Sequence, residues 1–210
     1  MNSYRTYARF AGAMYLVAMV ASIGGGLLIE STLHAQGADS AISEQKWILS
    51  IGSALELVNA LAVIGIAAAM WIPLSRRNPA MAVGYLGVRI LEAAACAAAA
   101  FIPVALLRLA DREQAELLIA MRGVITAHAV PIFLGVGAIV LYTALLRSGL
   151  VPRYLAVWGL VAAPAVIIAN TLVTEPALVA ILVLPILTNE IYLGVYLLTK
   201  GFRSTESALG

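Results

Sequence analysis

Long apolar runs separated by short polar breaks organise the whole chain. They lie near residues 9–29, 47–74, 81–107, 117–146, 154–173 and 177–199. A hydrocarbon core about 30 Å thick needs roughly 20 apolar residues in helical form, and each run reaches or approaches that length. The runs are continuous rather than alternating, and a lipid-facing open sheet would leave backbone groups unpaired, so helices are predicted and not barrel strands. The breaks are Ser31 to Glu44, Ser75 to Pro79, Arg108 to Glu116, Arg147 to Arg153 and Thr174 to Pro176. The pattern therefore predicts an all-α, polytopic bundle of six transmembrane helices. No loop is long enough for a soluble domain, and residues 1–210 are read as a single transmembrane domain. The first run follows Arg5 and Arg9, but it is longer than the apolar region of a signal peptide and is read as a span.

Composition agrees. Hydrophobic residues make up 62% of the chain and charged residues 11%, whereas soluble domains average about 45–50% apolar and about 25% charged. A soluble fold and a disordered chain are both excluded. A net charge of +2 provides no counterion-release drive toward nucleic acid. The single cysteine, Cys96, allows no disulfide and no cysteine-based zinc site. With the N-terminus inside, Arg5, Arg9, Arg76, Arg77, Arg147, Arg153, Lys200 and Arg203 fall on the cytoplasmic side, against Lys46, Arg108 and Arg112 outside. Glu30, Asp39, Glu44, Asp111, Glu113, Glu116 and Glu175 fall outside, with Glu206 in the C-terminal tail. The basic bias predicts that both termini are cytoplasmic.

Several polar residues sit inside the apolar runs: Glu56, Arg89, Glu92, Arg122 and Glu190, with Asn59, His128, Asn170 and Asn189. An ionised side chain at the bilayer centre costs about 2.5–3.5 kcal/mol on insertion scales, so these groups must face each other or water. At a rise of 1.5 Å per residue, Glu56 lies about 14 Å below Trp47 and Glu92 about 17 Å above Met81. On the same scale His128 lies about 17 Å below Leu117 and Glu190 about 20 Å below Ala177. Those depths coincide near mid-membrane. Arg89 and Glu92, three residues apart, share a helix face, as do Glu56 and Asn59. Pro185, Asn189, Tyr192 and Tyr196 form one stripe on the last span, with Glu190 beside it. Pro185 is expected to kink that span. Arg122 lies some 120° away from His128 around the helix, so a shared cavity is not assumed for the two. The expectation is that carboxylates of three helices converge on one polar chamber.

Other features suggest packing. The Ala93 to Ala100 run and Gly24-Gly25-Gly26 allow close helix approach. Tyr15, Trp47, Trp71, Tyr154 and Trp158 are expected at the membrane interfaces. A phosphate loop, a serine nucleophile elbow and a zinc-protease histidine pair are all lacking, so neither cofactor nor metal is expected. No internal repeat is evident, which weighs against a transporter of inverted halves.

The segment Arg9-Phe-Ala-Gly12-Ala-Met-Tyr15-Leu, the Arg89-Ile-Leu-Glu92 pair, the loop Arg147-Ser148-Gly-Leu-Val-Pro152-Arg153 and the closing Glu190 to Lys200-Gly201-Phe202 resemble a bacterial family of small polytopic membrane proteins. That family is catalogued as a domain of unknown function. The resemblance covers nearly the whole chain and implies a six-helix bundle in the bacterial inner membrane, with no activity attached. Many relatives carry Trp where this chain has Tyr196, a departure that touches only an interfacial ring.

The polar residues suggest a membrane-embedded site that binds or converts a small lipid-like or isoprenoid molecule, by proton-initiated isomerisation or cyclisation. An unpaired carboxyl in low dielectric favours its neutral form, making Glu190 or Glu56 the candidate acid, while Glu92 stays ionised beside Arg89. His128 is the candidate proton acceptor. Arg89, Asn59, Asn189, Arg122, Tyr192 and Tyr196 are candidates for the binding wall. There are two alternatives: a small proton-linked transporter or a resistance or immunity factor, using the same groups as a relay, and a non-catalytic accessory subunit that packs against a larger partner. Membrane lipids are the expected surroundings in every case.

Overall fold

The computed structural model describes residues 2–33, 46–109 and 111–203, and they are helical with no strand among them. Helix α1 spans Asn2–Leu33, α2 Lys46–Ser75 and α3 Pro79–Leu106. The fourth span, Arg112–Ser148, consists of α4 (Arg112–Val124), a π-helical turn (Ile125–Ala129) and α5 (Val130–Ser148). Helices α6 (Arg153–Leu172) and α7 (Pro176–Thr199) follow. Among the described residues, six helices are long and apolar enough to cross a membrane, as the hydrophobic pattern predicts.

The helices outrun the apolar segments at several ends. The first starts before Arg9 and ends at Leu33, and the fourth starts at Arg112 rather than Leu117. Polarity marks where lipid contact ends, whereas a helix continues as long as its own capping and side-chain pairs support it. At the fourth span Asp111 caps the start by accepting from the Glu113 amide at 2.9 Å, and Arg112 pairs with Glu116 at 3.0 Å. Asn78 caps α3 in the same way, accepting from the Met81 amide, with Pro79 at the position where no amide donor is needed. Gly149, at φ 66°, ends α5 in the left-handed conformation that glycine adopts without strain. Helix α7 runs through Pro185 without interruption. Asp39, Glu44 and Glu206, used above for orientation, lie outside the described residues.

Packing joins consecutive spans into a ring: α1 on α2, α2 on α3, α3 on α5, α5 on α6, α6 on α7, and α7 back on α1. The ring closes where small residues let backbones meet. A Cβ on Gly12 would stand 2.5 Å from the Gly194 carbonyl oxygen and 2.8 Å from the Leu198 nitrogen. At the α1–α2 seam, a Cβ on Gly25 would stand 2.9 Å from the Gly52 carbonyl oxygen. On the far side Tyr142 lays its ring against Gly159. Replacing Gly12 with Val is accordingly expected to force α1 off α7 and to cost about 1–3 kcal/mol, the usual range for overpacking. Thermal unfolding in detergent checks it; an unchanged melting temperature would place the seam elsewhere.

The bundle has two unlike ends. At the terminal end, Arg77 donates to the Ser148 carbonyl at 3.1 Å, the Arg203 amide donates to the Leu150 carbonyl at 2.9 Å, and Arg76 lies 5.2 Å from the Tyr4 ring centre. The other end, the loop end, holds Leu33, Lys46, Leu106, Arg112, Leu172 and Pro176. Large apolar side chains such as Val20, Leu61, Val161 and Leu172 are exposed around the outside, as a lipid-facing surface requires.

Candidate functional site

Inside the ring the ion pairs form two tiers. The deeper tier centres on Arg89 of α3. Its Nη1 donates to both oxygens of Glu92, at 2.9 and 2.7 Å, and its Nε donates to the Tyr85 hydroxyl at 3.1 Å. From α7, Glu190 brings a carboxylate oxygen to 3.9 Å from Nη2. All of these side chains are buried. The pair on α3 follows from its three-residue spacing, and Tyr85 extends the same face one turn earlier.

The outer tier centres on Arg122 of α4. Nη1 and Nη2 hold Glu56 of α2 in a two-pronged contact at 2.8 and 2.6 Å, and Nη1 also donates to the Ala99 carbonyl of α3 at 2.8 Å. Such bidentate guanidinium–carboxylate contacts are the strong members of their class. Glu30 of α1 stands 3.6 Å from Nε, too far for a hydrogen bond, and Nε has no hydrogen-bond partner among the described residues. Ala99 lies two helical turns along α3 from Glu92, which puts the tiers about 10 Å apart.

Each tier borders a cavity. The outer one, about 420 Å³, lies between α1, α2, α3 and the fourth span, with Gly26, Glu30, Glu56, Arg122, Thr126 and Ala127 on its wall. The inner one, about 110 Å³, is walled by Tyr15, Arg89, Glu92, Leu187 and Glu190. Ser22, Asn59, Cys96 and Val130 line both, forming a neck in which the Asn59 amide faces the Cys96 sulfur at 3.7 Å. The expected single chamber is thus two adjoining pockets. Glu92 and Glu190 share the inner one, while Glu56 turns to the outer one because Arg122 neutralises it there.

His128 joins neither tier. It lines a third cavity, about 480 Å³, with Pro131, Asn170 and Val183. Its Nδ1 donates to the Asn170 carbonyl at 2.6 Å. That carbonyl belongs to the last turn of α6, where carbonyls lack helical partners, so His128 satisfies a helix end and stands apart from the carboxylates. Asn189 is buried and donates to the Leu155 carbonyl at 3.1 Å, tying α7 to α6. Tyr192 is exposed on the outside, 3.0 Å from the Tyr154 hydroxyl and edge-on to its ring, with Trp158 beside them. Tyr196 packs against the hydrophobic core. None of these three lines either charged cavity. The expectation that Tyr15 anchors at an interface is overturned: it is 3% exposed and walls the inner pocket. Its place follows from a stripe at three- and four-residue steps, Tyr15, Met19, Ser22, Gly26 and Glu30, that turns one face of α1 toward both cavities.

Sequence reasoning missed Glu30, Tyr85 and Cys96 as parts of the site. The four-residue step from Tyr85 to Arg89 was available as a signal. Glu30 falls just beyond the apolar run that ends at residue 29, although α1 continues to Leu33.

No curated protein and no solved structure matches the chain. The family described as a domain of unknown function, DUF4386, matches residues 10–201, and the protein is a member of that family.

Proposed function

We propose that the protein binds a small, largely apolar molecule bearing one oxygen function, such as an isoprenoid alcohol or a fatty acid, in the outer cavity. The observation that carries this reading is Arg122: a buried guanidinium on the wall of a mainly apolar cavity, with one N–H left without a hydrogen-bond acceptor. A buried donor without an acceptor is costly, and a ligand oxygen would satisfy it. The volume of about 420 Å³ lies in the usual range for small-molecule sites. In this reading the apolar body of the ligand lies along α1 and the fourth span. Where conversion follows binding, Glu190 is the acid, reached through the neck. The basic terminal end faces the cytoplasm of the bacterial inner membrane, leaving the loop end and its cavity on the outer side.

Gly26 offers a direct test. It lines the cavity, and a Cβ there would meet nothing within 4 Å, so Gly26→Leu fills the space without crowding the fold. Radiolabelled farnesol and oleate are expected to bind the wild-type protein in nanodiscs, squalene is not, and Gly26→Leu is expected to lose binding while keeping its melting temperature. Equal binding to both proteins, or squalene bound as well as farnesol, contradicts the proposal.

A further inference from the structure

The inner tier has two carboxylates for one guanidinium. Glu92 makes both short contacts with Arg89, at 2.7 and 2.9 Å, while Glu190 stays 3.9 Å away. The next buried cation, Arg122, lies about 10 Å outward and is held by Glu56. With both inner carboxylates ionised, the pocket would carry an excess negative charge deep in the membrane, where each unpaired charge is expensive. One proton removes that excess, and Glu190 is the weaker partner of Arg89 and so the group that takes it. The other titratable groups facing this pocket are Tyr15 from α1, Tyr85 and Cys96 from α3, and Tyr142 from α5. From α2 the lining residues Asn59, Val63 and Ile66 do not titrate, Glu56 being held in the outer cavity, and α6 contributes no titratable group among the described residues.

Access is one-sided. Toward the terminal end the core closes with Ala8, Ala11, Met70, Tyr85, Leu141 and Tyr142, each no more than 1% exposed. Toward the loop end the inner pocket meets the outer cavity at the neck, and the outer cavity reaches Glu30, whose side chain is 48% exposed. We infer that Glu190 is a proton-binding site filled from the loop end alone, through the neck at Ser22, Asn59 and Cys96. Proton entry changes the partners of Arg89: protonated Glu190 leaves the guanidinium to Glu92, and ionised Glu190 draws it toward α7. The inference is independent of which molecule, if any, occupies the outer cavity.

Cys96 is the only cysteine in the chain, so the native protein carries its own reporter at the neck. In vesicles of defined orientation, a membrane-impermeant cationic methanethiosulfonate is expected to label Cys96 from the loop end and not from the terminal end. Infrared spectra of the same vesicles, compared between acid and alkaline buffer on the loop side, are expected to contain a protonated-carboxyl band. That band is lost in Glu190→Gln and shifted, not lost, in Glu190→Asp. Labelling from the terminal end, labelling from neither end, or a band that persists unchanged in Glu190→Gln overturns the inference. Loss of farnesol binding has no bearing on these readouts, so the two proposals fail separately.

Discussion

Replacing Arg89 with Leu is expected to leave the protein largely unfolded or unrecoverable from membranes. The substitution removes the only guanidinium among the described residues within reach of Glu92 and Glu190 and leaves the Tyr85 hydroxyl without its donor. Removing one partner of a buried ion pair costs about 3–5 kcal/mol, because the remaining charge stays buried and uncompensated, and here two carboxylates lose the same partner. Total stabilities of folded domains are only about 5–15 kcal/mol, so a loss of that size consumes much of the margin. Adding Glu92→Leu and Glu190→Gln to Arg89→Leu is expected to restore most of the folded yield, since the charge defect disappears with its cause. Monodispersity on gel filtration and thermal unfolding of the wild type, the single variant and the triple variant measure it. A fully stable Arg89→Leu protein would mean that these carboxylates have another partner.

Arg122→Leu is expected to have the second largest effect, by the same mechanism but on the outer tier. Glu56 would lose a bidentate partner and the Ala99 carbonyl its extra donor, at a cost of about 3–5 kcal/mol. This pair also ties α2, α3 and α4 together across the cavity, so its loss is expected to loosen the first half of the bundle. The double variant Glu56→Leu with Arg122→Leu should recover stability, because an apolar pair of similar volume is often neutral or better than a buried salt bridge. Detergent titration with unfolding followed by circular dichroism distinguishes the two outcomes. If the double variant is as unstable as the single one, the cost lies in packing and not in charge.

Much of the architecture was legible in the sequence because bilayer thickness imposes a length on every span and leaves few ways to satisfy backbone groups. Depth was legible only in part: counting residues from each span end puts Glu56, Glu92 and Glu190 at one level, whereas Glu56 is held with Arg122 beside Ala99, about 10 Å along α3 from Glu92. The Arg89–Glu92 contact follows from spacing on a single helix. Contacts between helices were another matter. The partner of Arg122 stands 66 residues away, and no periodicity on α4 points to it. The rotation of each helix is decided by seams such as Gly12 on Gly194 and Tyr142 on Gly159, which bring together residues distant in sequence. The π-helical turn Ile125–Ala129 adds to the difficulty. It widens the fourth span just before Pro131, a residue without an amide hydrogen, so helical angles counted from Arg122 past this turn no longer hold. His128 lies inside that turn and faces Asn170. Aromatic residues misled for a related reason: Tyr15 has the composition of an interfacial anchor, but the stripe it belongs to is turned inward.

The account depends on Glu190 of α7 and Arg89 of α3 sharing one buried pocket across a helix boundary. The most direct measurement is a double-mutant cycle on stability in micelles at alkaline pH, where Glu190 is ionised, comparing wild type, Glu190→Gln, Arg89→Gln and the double variant. Convergence predicts a coupling of about 0.5–3 kcal/mol, the range for residues in one charged network. Effects that simply add would show that Glu190 is neutralised elsewhere and that the inner tier is no more than the local pair on α3.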